Sequence, residues 1–214
     1  MNKLAMVFNG PPGCGKGSII KHLSKMNVPL SVLSMSDELS KLRDSPMCGV
    51  AVREAMDSGR LVPDSITLPA FFRMWSEFGA IKGPTHFALD GVARTEFQAQ
   101  EIAWKLKLTQ GRIPIQIVVN VPLEECRRRL LLRKRGDDQL EVILKRFEVF
   151  EKKTLPAIER FASELPGNTV YVSGDRDPSI TAAELKHILA ERFDLWTPDA
   201  EDLQHVAKKL GFTD

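Results

Sequence analysis

Nine residues near the N-terminus, Gly10-Pro11-Pro12-Gly13-Cys14-Gly15-Lys16-Gly17-Ser18, restrict this chain more than any other stretch. They follow an apolar run, Leu4 to Phe8, that reads as a buried strand. They precede Ile19-Ile20-Lys21-His22-Leu23, which reads as a helix. Strand, glycine-rich loop and helix, in that order, is the context a phosphate-binding loop requires. Glycines let the backbone curl with its N–H groups inward, where they cradle an anion. The helix N-terminus adds partial positive charge at the same place. Lys16 is placed to reach the β- and γ-phosphates of a nucleotide, and Ser18 offers a hydroxyl to Mg²⁺. Gly17, between lysine and hydroxyl, departs from the simplest form of the motif. A glycine-rich turn with no ligand is the competing reading, and the flanking strand and helix weigh against it.

With 214 residues the chain is long enough to bury one sizeable α/β core. A net charge of +2 is too small to imply a nucleic-acid partner. Cys14, Cys48 and Cys126 are widely spaced and form no CxxC pair. That suits a reducing cytoplasm and argues against a disulfide framework or a zinc site. The first residues run straight into a strand, so no signal peptide is expected. No apolar run approaches the length of a membrane span. No large exposed apolar stripe is evident, so the expectation is a cytoplasmic monomer with no membrane or nucleic-acid partner.

Along the chain, strand and helix signals alternate. The first helix should run to about Met26, and Val28–Leu33 is a weak second strand. Ser34-Met35-Ser36-Asp37 offers polar caps for a helix, broken at Asp44-Ser45-Pro46. Met47–Ser58 reads as another, ended by Gly59, and Pro63-Asp64 opens a third that reaches about Phe78. Three short helices between two strands look like an insert standing off a sheet. His86–Leu89 is a short strand, and Asp90 sits at its C-terminal end, where open α/β sheets bind ligands. Gln98–Leu108 is a helix. Ile113–Val121 is continuously apolar, as a parallel strand covered on both faces should be. A helix from Pro122 carries Arg127, Arg128, Arg129 and Arg133. Leu140–Leu165 reads as one or two helices broken near Pro156, Thr169–Val172 as the last strand, and Thr181–Phe193 as the last core helix. Leu203, Val206, Ala207 and Leu210 give residues 194–214 the spacing of a short amphipathic tail helix. The sum is a doubly wound parallel sheet of about five strands with helices on both faces.

Four groups of residues now stand in order: Gly10-x-Pro12-Gly13-x-Gly15-Lys16-Gly17-Ser18; Gly59-Arg60-Leu61-Val62-x-Asp64; Leu89-Asp90-Gly91-x-x-Arg94-x-x-x-Gln98; and Arg133, Asp137-Asp138 and Arg146. Together they resemble the adenylate kinase family over about residues 3–190. The resemblance implies a P-loop kinase domain over 1–193, a nucleoside-monophosphate-binding insert over 34–64 and a lid over 134–138. It implies transfer of a phosphoryl group from ATP·Mg²⁺ to a nucleoside monophosphate. Such an enzyme holds donor and acceptor in line, neutralises charge and excludes water, which is why arginine dominates: its planar fork binds phosphate oxygens and stays charged. The resemblance assigns Gly13, Cys14, Gly15, Lys16, Gly17 and Ser18 to the ATP phosphates, and Arg129 and Arg176 to the ATP base. It assigns Lys16, Arg94, Arg133 and Arg146 to the transferring group, and Ser18 and, through water, Asp90 to Mg²⁺. Ser36, Arg43, Arg60, Val62, Gly91, Arg94, Gln98 and Arg135 fall to the acceptor. Gln98 matches the glutamine that reads adenine, its amide donating and accepting at once, and so favours AMP. Asp137 and Asp138 match aspartates that position arginines by salt bridges. Arg127 and Arg128 point elsewhere and are expected in solvent.

Four departures stand out. Met35 replaces a threonine near the acceptor. Ser40 replaces one of two arginines that clamp the acceptor phosphate, and Arg43, about one turn on, is a candidate substitute. Val92-Ala93 replaces Phe-Pro; because a non-proline cis bond costs about 2.5–4 kcal/mol, a trans bond is expected before Ala93. Only Lys134, Arg135 and Gly136 separate Arg133 from Asp137, a lid short enough to predict weak exclusion of water. The alternatives are a kinase for UMP, CMP or a deoxynucleotide, and a nucleotide-binding protein that has lost transfer.

Overall fold

The structure, a computed structural model, describes residues 3–79, 85–133 and 139–193. Its centre is β1 (Leu4–Asn9), buried along its whole length. The strand alternates between two cores. Ala5 and Val7 join the cluster that holds Phe71, Trp75 and Phe161, whereas Leu4, Met6 and Phe8 join the one that holds Ile19, Leu23 and Leu189. Apolar residues on both faces are what a strand sandwiched between two helix layers needs. Beside β1 lie β2 (Leu30–Ser34), β3 (His86–Asp90), β4 (Ile113–Asn120) and β5 (Thr169–Ser173), all parallel, in the order β2-β3-β1-β4-β5. The five-stranded parallel sheet agrees with the sequence reading. Successive connections wind towards opposite edges from β1 and from its neighbour β3, so the crevice beyond their C-terminal ends is where this class of sheet binds ligands.

One helix layer holds α1 (Lys16–Lys25) and α9 (Pro178–Phe193), packed on each other. The opposite layer holds α5 (Glu96–Lys107) and α8 (Leu155–Glu164). Between β2 and β3 come α2 (Met35–Lys41), α3 (Gly49–Asp57) and α4 (Asp64–Gly79). Ser34 caps α2, its hydroxyl accepting from Asp37 N–H at 3.3 Å. Of the three short helices expected to stand off the sheet, the third differs. The third helix is long and lies on the sheet, with Trp75 edge-on to Phe87 at 5.4 Å between centroids. Val52, Ala55 and Val62 of the preceding segment share that same core.

After β4, α6 (Leu123–Arg133) leads towards residues 134–138, and α7 (Leu140–Val149) follows. The expected break near Pro156 is also corrected. A π-helical turn, Phe150–Thr154, joins α7 directly to α8, and the proline falls in the first turn of α8. A proline there lacks an N–H that would be unpaired anyway, and the wider π turn makes room for its ring. The lid residues Arg135, Asp137 and Asp138 and the tail 194–214 lie outside the described residues. Among the described residues no helix is long and apolar enough to cross a membrane.

Candidate active site

The loop between β1 and α1 forms because three glycines take left-handed backbone angles, φ +142° at Gly10, +84° at Gly13 and +94° at Gly15. Gly13 is also sterically pinned: a Cβ there would come within 2.5 Å of the Cys126 carbonyl and 2.9 Å of Leu130. The loop is therefore wedged against α6. Lys16 folds over it, its Nζ donating to the carbonyls of Gly10 at 3.0 Å and Pro11 at 3.3 Å. Cys14 is fully buried, and its N–H donates to the Pro11 carbonyl at 3.2 Å. Burial pushes the Cys126 thiol up to about 11.

Two cavities open on either side of Lys16. The larger, about 1040 Å³, is lined by Gly13, Gly15, Lys16, Gly17 and Ser18 of the loop, by Asp90, and by Arg129, Arg133 and Arg176. The second, about 410 Å³, is lined by Lys16, Ser36, Arg43, Arg60, Arg94, Arg133 and Arg146. Gly13, Lys16, Leu130 and Arg133 belong to both walls. A recess of about 90 Å³ adjoins the second, floored by Met35, Val62, Gly91, Arg94 and Gln98. The predicted site residues thus gather around one crevice; Cys14 lines neither cavity, and Arg135 is not among the described residues.

Arg94 lies at the turn after β3. Burial presses its guanidinium below the ordinary arginine range, the Asp90 carboxylate opposes this and the Arg146 cation adds to it. A largely desolvated cation whose neighbour is another cation is primed to take an anion. The turn that carries it contains no cis peptide, as expected; instead Ala93 takes φ +55° while fully buried. Thr154, in the π turn, donates from Oγ1 to the Arg94 carbonyl at 3.3 Å. Gln98 is 2% exposed. Its Oε1 accepts from the Arg94 N–H at 3.0 Å and its Nε2 donates to Asp64 at 2.8 Å, while Asp64 also accepts from the Thr95 hydroxyl at 3.0 Å. A carboxylate on one side and an N–H on the other fix which end of the amide is oxygen.

On α6, Glu125 accepts from both Arg128 and Arg129, and these two cations hold its carboxyl down at about 2. Arg129 donates further to the Gly174 carbonyl at 2.8 Å. Arg128 is exposed to solvent, as expected, but it does not point away: paired with Glu125 three residues back on the same face, it also lines the larger cavity. Arg127 lines neither cavity. Lys21 was also missed, although its place three residues after Ser18 on α1 was a usable signal. Asp57, in the second cavity, carried no signal at all.

A model of the adenylate kinase family matches residues 8–165 of this chain. The adenylate kinase of Cyanothece sp. is 31% identical over 189 residues, 86% of this chain and 94% of its own length. That of Thermus thermophilus is 34% identical over 191 residues, 86% of this chain and 96% of its own. That of Leptospira biflexa is 35% identical over 162 residues, 72% of this chain and 83% of its own.

Proposed function

Because this chain belongs to the adenylate kinase family, we propose that it moves the γ-phosphoryl group of ATP to AMP, giving two ADP, across the wall its two cavities share. The observation that carries this reading is that wall. Lys16 and Arg133 border both cavities, so a group passing from one to the other stays within reach of both cations. The larger cavity takes ATP, its phosphates along the loop and its base between Arg129 and Arg176. The second takes the phosphate of AMP against Arg94 and Arg146, and the recess beyond takes adenine against Gln98.

The protein has little covalent work to do. Arg94 and Arg146 hold the attacking phosphate, Lys16 follows the moving charge, and Arg133 and Arg146 neutralise it from the α6 and α7 side. Bringing acceptor and donor together in fixed geometry supplies much of the rate. Lys16 must first leave the loop carbonyls it now holds, and the phosphate oxygens replace them.

Mg²⁺ fits this donor set. The exposed Ser18 hydroxyl and the Asp90 carboxylate line the same cavity, and no group of three or more His, Cys, Asp or Glu that could hold an ion exists among the described residues. An ion here would be shared between phosphate oxygens, water and these two oxygen ligands, as Mg²⁺ prefers. When bound, it would neutralise phosphate charge and orient the chain of phosphates. Residues 34–64 are read as the segment that closes over AMP and residues 134–138 as the lid. Both cavities are lined by one chain, so the reading needs no second subunit. Three free cysteines suit a reducing cytoplasm.

The test is transfer from ATP·Mg²⁺ to AMP, dAMP, GMP, UMP and CMP, with K16A as the blank. Transfer to AMP that vanishes in the blank is expected. Transfer to a different monophosphate would reassign the acceptor, and ATP binding with no transfer to any of them would overturn the reading.

A further inference from the structure

The second cavity is a site for an anion, yet a carboxylate faces into it. Asp57, the last residue of α3, lines it beside Arg43, and both of its oxygens accept from Arg43 Nη2, at 2.9 and 3.0 Å. Arg43 itself is anchored. Its carbonyl accepts from the Arg53 guanidinium, and a Cβ at Gly49 would collide with that same carbonyl, so α3 starts hard against it. The backbone is fixed while the side chain is aimed at Asp57 and the cavity. Ser40, where the family resemblance calls for an arginine, is turned away from any such role, its hydroxyl donating to the Ser36 carbonyl at 2.7 Å.

We propose that Asp57 is a stand-in for the acceptor phosphate: it holds the Arg43 guanidinium at the cavity until a nucleoside monophosphate displaces it, and Arg43 then becomes the second phosphate clamp. This rests on reading the second cavity as the acceptor site. The geometry suits an exchange of partners. Arg43 keeps 33% and Asp57 61% of side-chain exposure, so their pairing competes with water and is worth about two- to fivefold in an equilibrium constant. A phosphate brings more charge and meets Arg94 and Arg146 at the same time, so it wins the guanidinium. Asp57 acts only through Arg43; it is a positioning residue that lowers acceptor affinity while keeping the cation in place.

The experiment is a set of calorimetric dissociation constants for AMP in the wild type, D57N, R43A, R43K and R43A/D57N, with phosphoryl transfer assayed on the same preparations. D57N should tighten AMP about threefold, the reverse of an exposed ion-pair's contribution. R43A should weaken it roughly tenfold or more, the loss of a charge-assisted contact. R43K, which keeps charge without the fork, should fall between. In the R43A background D57N should tighten AMP much less, because only the direct repulsion of an exposed carboxylate is then relieved. Equal tightening by D57N with and without Arg43 would overturn the proposal, as would an R43A enzyme with unchanged affinity or an R43K enzyme no better than R43A. Normal transfer with flat dissociation constants would sink the exchange alone. The expected constants without transfer would sink the kinase reading and leave the exchange standing.

Discussion

The two cavities share a wall but are charged differently. Lys16, Lys21, Arg128, Arg129, Arg133 and Arg176 line the larger one, set against Asp90, Glu125, Asp175 and Asp177. Lys16, Arg43, Arg60, Arg94, Arg133 and Arg146 line the second, set among the described residues against Asp57 alone, in well under half the volume. On the proposed reading the donor brings a divalent cation with its phosphates, so its half of the crevice would need less net charge from the protein. The acceptor brings none. The donor side therefore spends carboxylates on aiming its arginines, as Glu125 aims Arg128 and Arg129. The acceptor side collects its cations at the cost of their mutual repulsion and burial, as at Arg94 and Arg146. A cation held that way gains most when an anion arrives.

That contrast predicts where each arginine is felt. R94A should lower kcat/KM for AMP by roughly 10²- to 10³-fold, the scale of removing a preorganised charge contact, with a much smaller rise in the KM for ATP. R129A should do the reverse, raising the KM for ATP by about tenfold with little effect on AMP. Steady-state kinetics with each substrate varied in turn checks both. Should R94A move both KM values equally, the cavities are not separate sites and the comparison fails.

Two buried polar groups that pin the sheet differ as well. At the start of β3, the end away from Asp90 and Arg94, His86 accepts the Leu4 N–H through Nδ1 at 3.1 Å and is 1% exposed. In β4, Gln116 plays a similar part, donating to the Ile158 carbonyl at 3.2 Å and accepting from Thr169 at 3.3 Å, and it does not titrate. Burial and then the Arg112 cation lower the His86 pKa from 6.5 to about 4. The unfolded chain therefore binds this proton first. Stability is full above pH 6.5 and falls as pH drops towards 4, by up to about 3 kcal/mol from this one group. Urea unfolding of the wild type and of H86Q at pH 7 and pH 4.5 should show the extra acid loss only in the wild type. Identical losses would place the acid sensitivity elsewhere.

Much of this is legible in the sequence alone. The glycine loop with its flanking strand and helix, the continuous apolar run that became β4, and the positions of Lys16, Asp90, Arg94, Arg133 and Arg146 depend on local pattern and motif spacing. What the sequence could not show depends on neighbours far along the chain. Pro156 looks like a break until the π turn is seen to absorb it. Arg128 is as exposed as it looks, but its pairing with Glu125 and its place on the cavity wall show only in the fold. Gln98 reads as the amide that meets adenine, but the sequence does not show that Asp64, from another helix, and the Arg94 backbone already take one of its N–H groups and one of its lone pairs. Asp57 carries no signal in isolation, because its meaning is set by Arg43.

The turn that carries Arg94 tests how tightly the acceptor side is built. Ala93 is fully buried at φ +55°, a region that a β-branched residue scarcely enters. A93V should cost about 2 kcal/mol or more through backbone strain and overpacking, read as a lower urea midpoint, and should weaken AMP before ATP because the strain falls next to Arg94. Unchanged stability would mean that the turn has room to relax.

The matching test on the donor side has the smallest effect and the most informative sign. Gly17 is the second residue of α1, outside the left-handed region, and a Cβ there meets nothing within 4 Å. A glycine in a helix costs roughly 0.5–1 kcal/mol relative to alanine, so G17A should raise stability by about that much. The glycine lines the donor cavity, however, beside Lys16 and Ser18. If its missing side chain is room kept for the phosphates, the more stable variant should bind ATP less well, while AMP affinity is untouched. A gain in stability with unchanged ATP affinity would show that the nucleotide does not approach the backbone here, and that the open face of the loop is shaped by the turn alone. The opposite sign at Gly13, where a Cβ has no room at all, serves as the control: G13A should lose both stability and ATP binding, because the loop cannot stay wedged against α6.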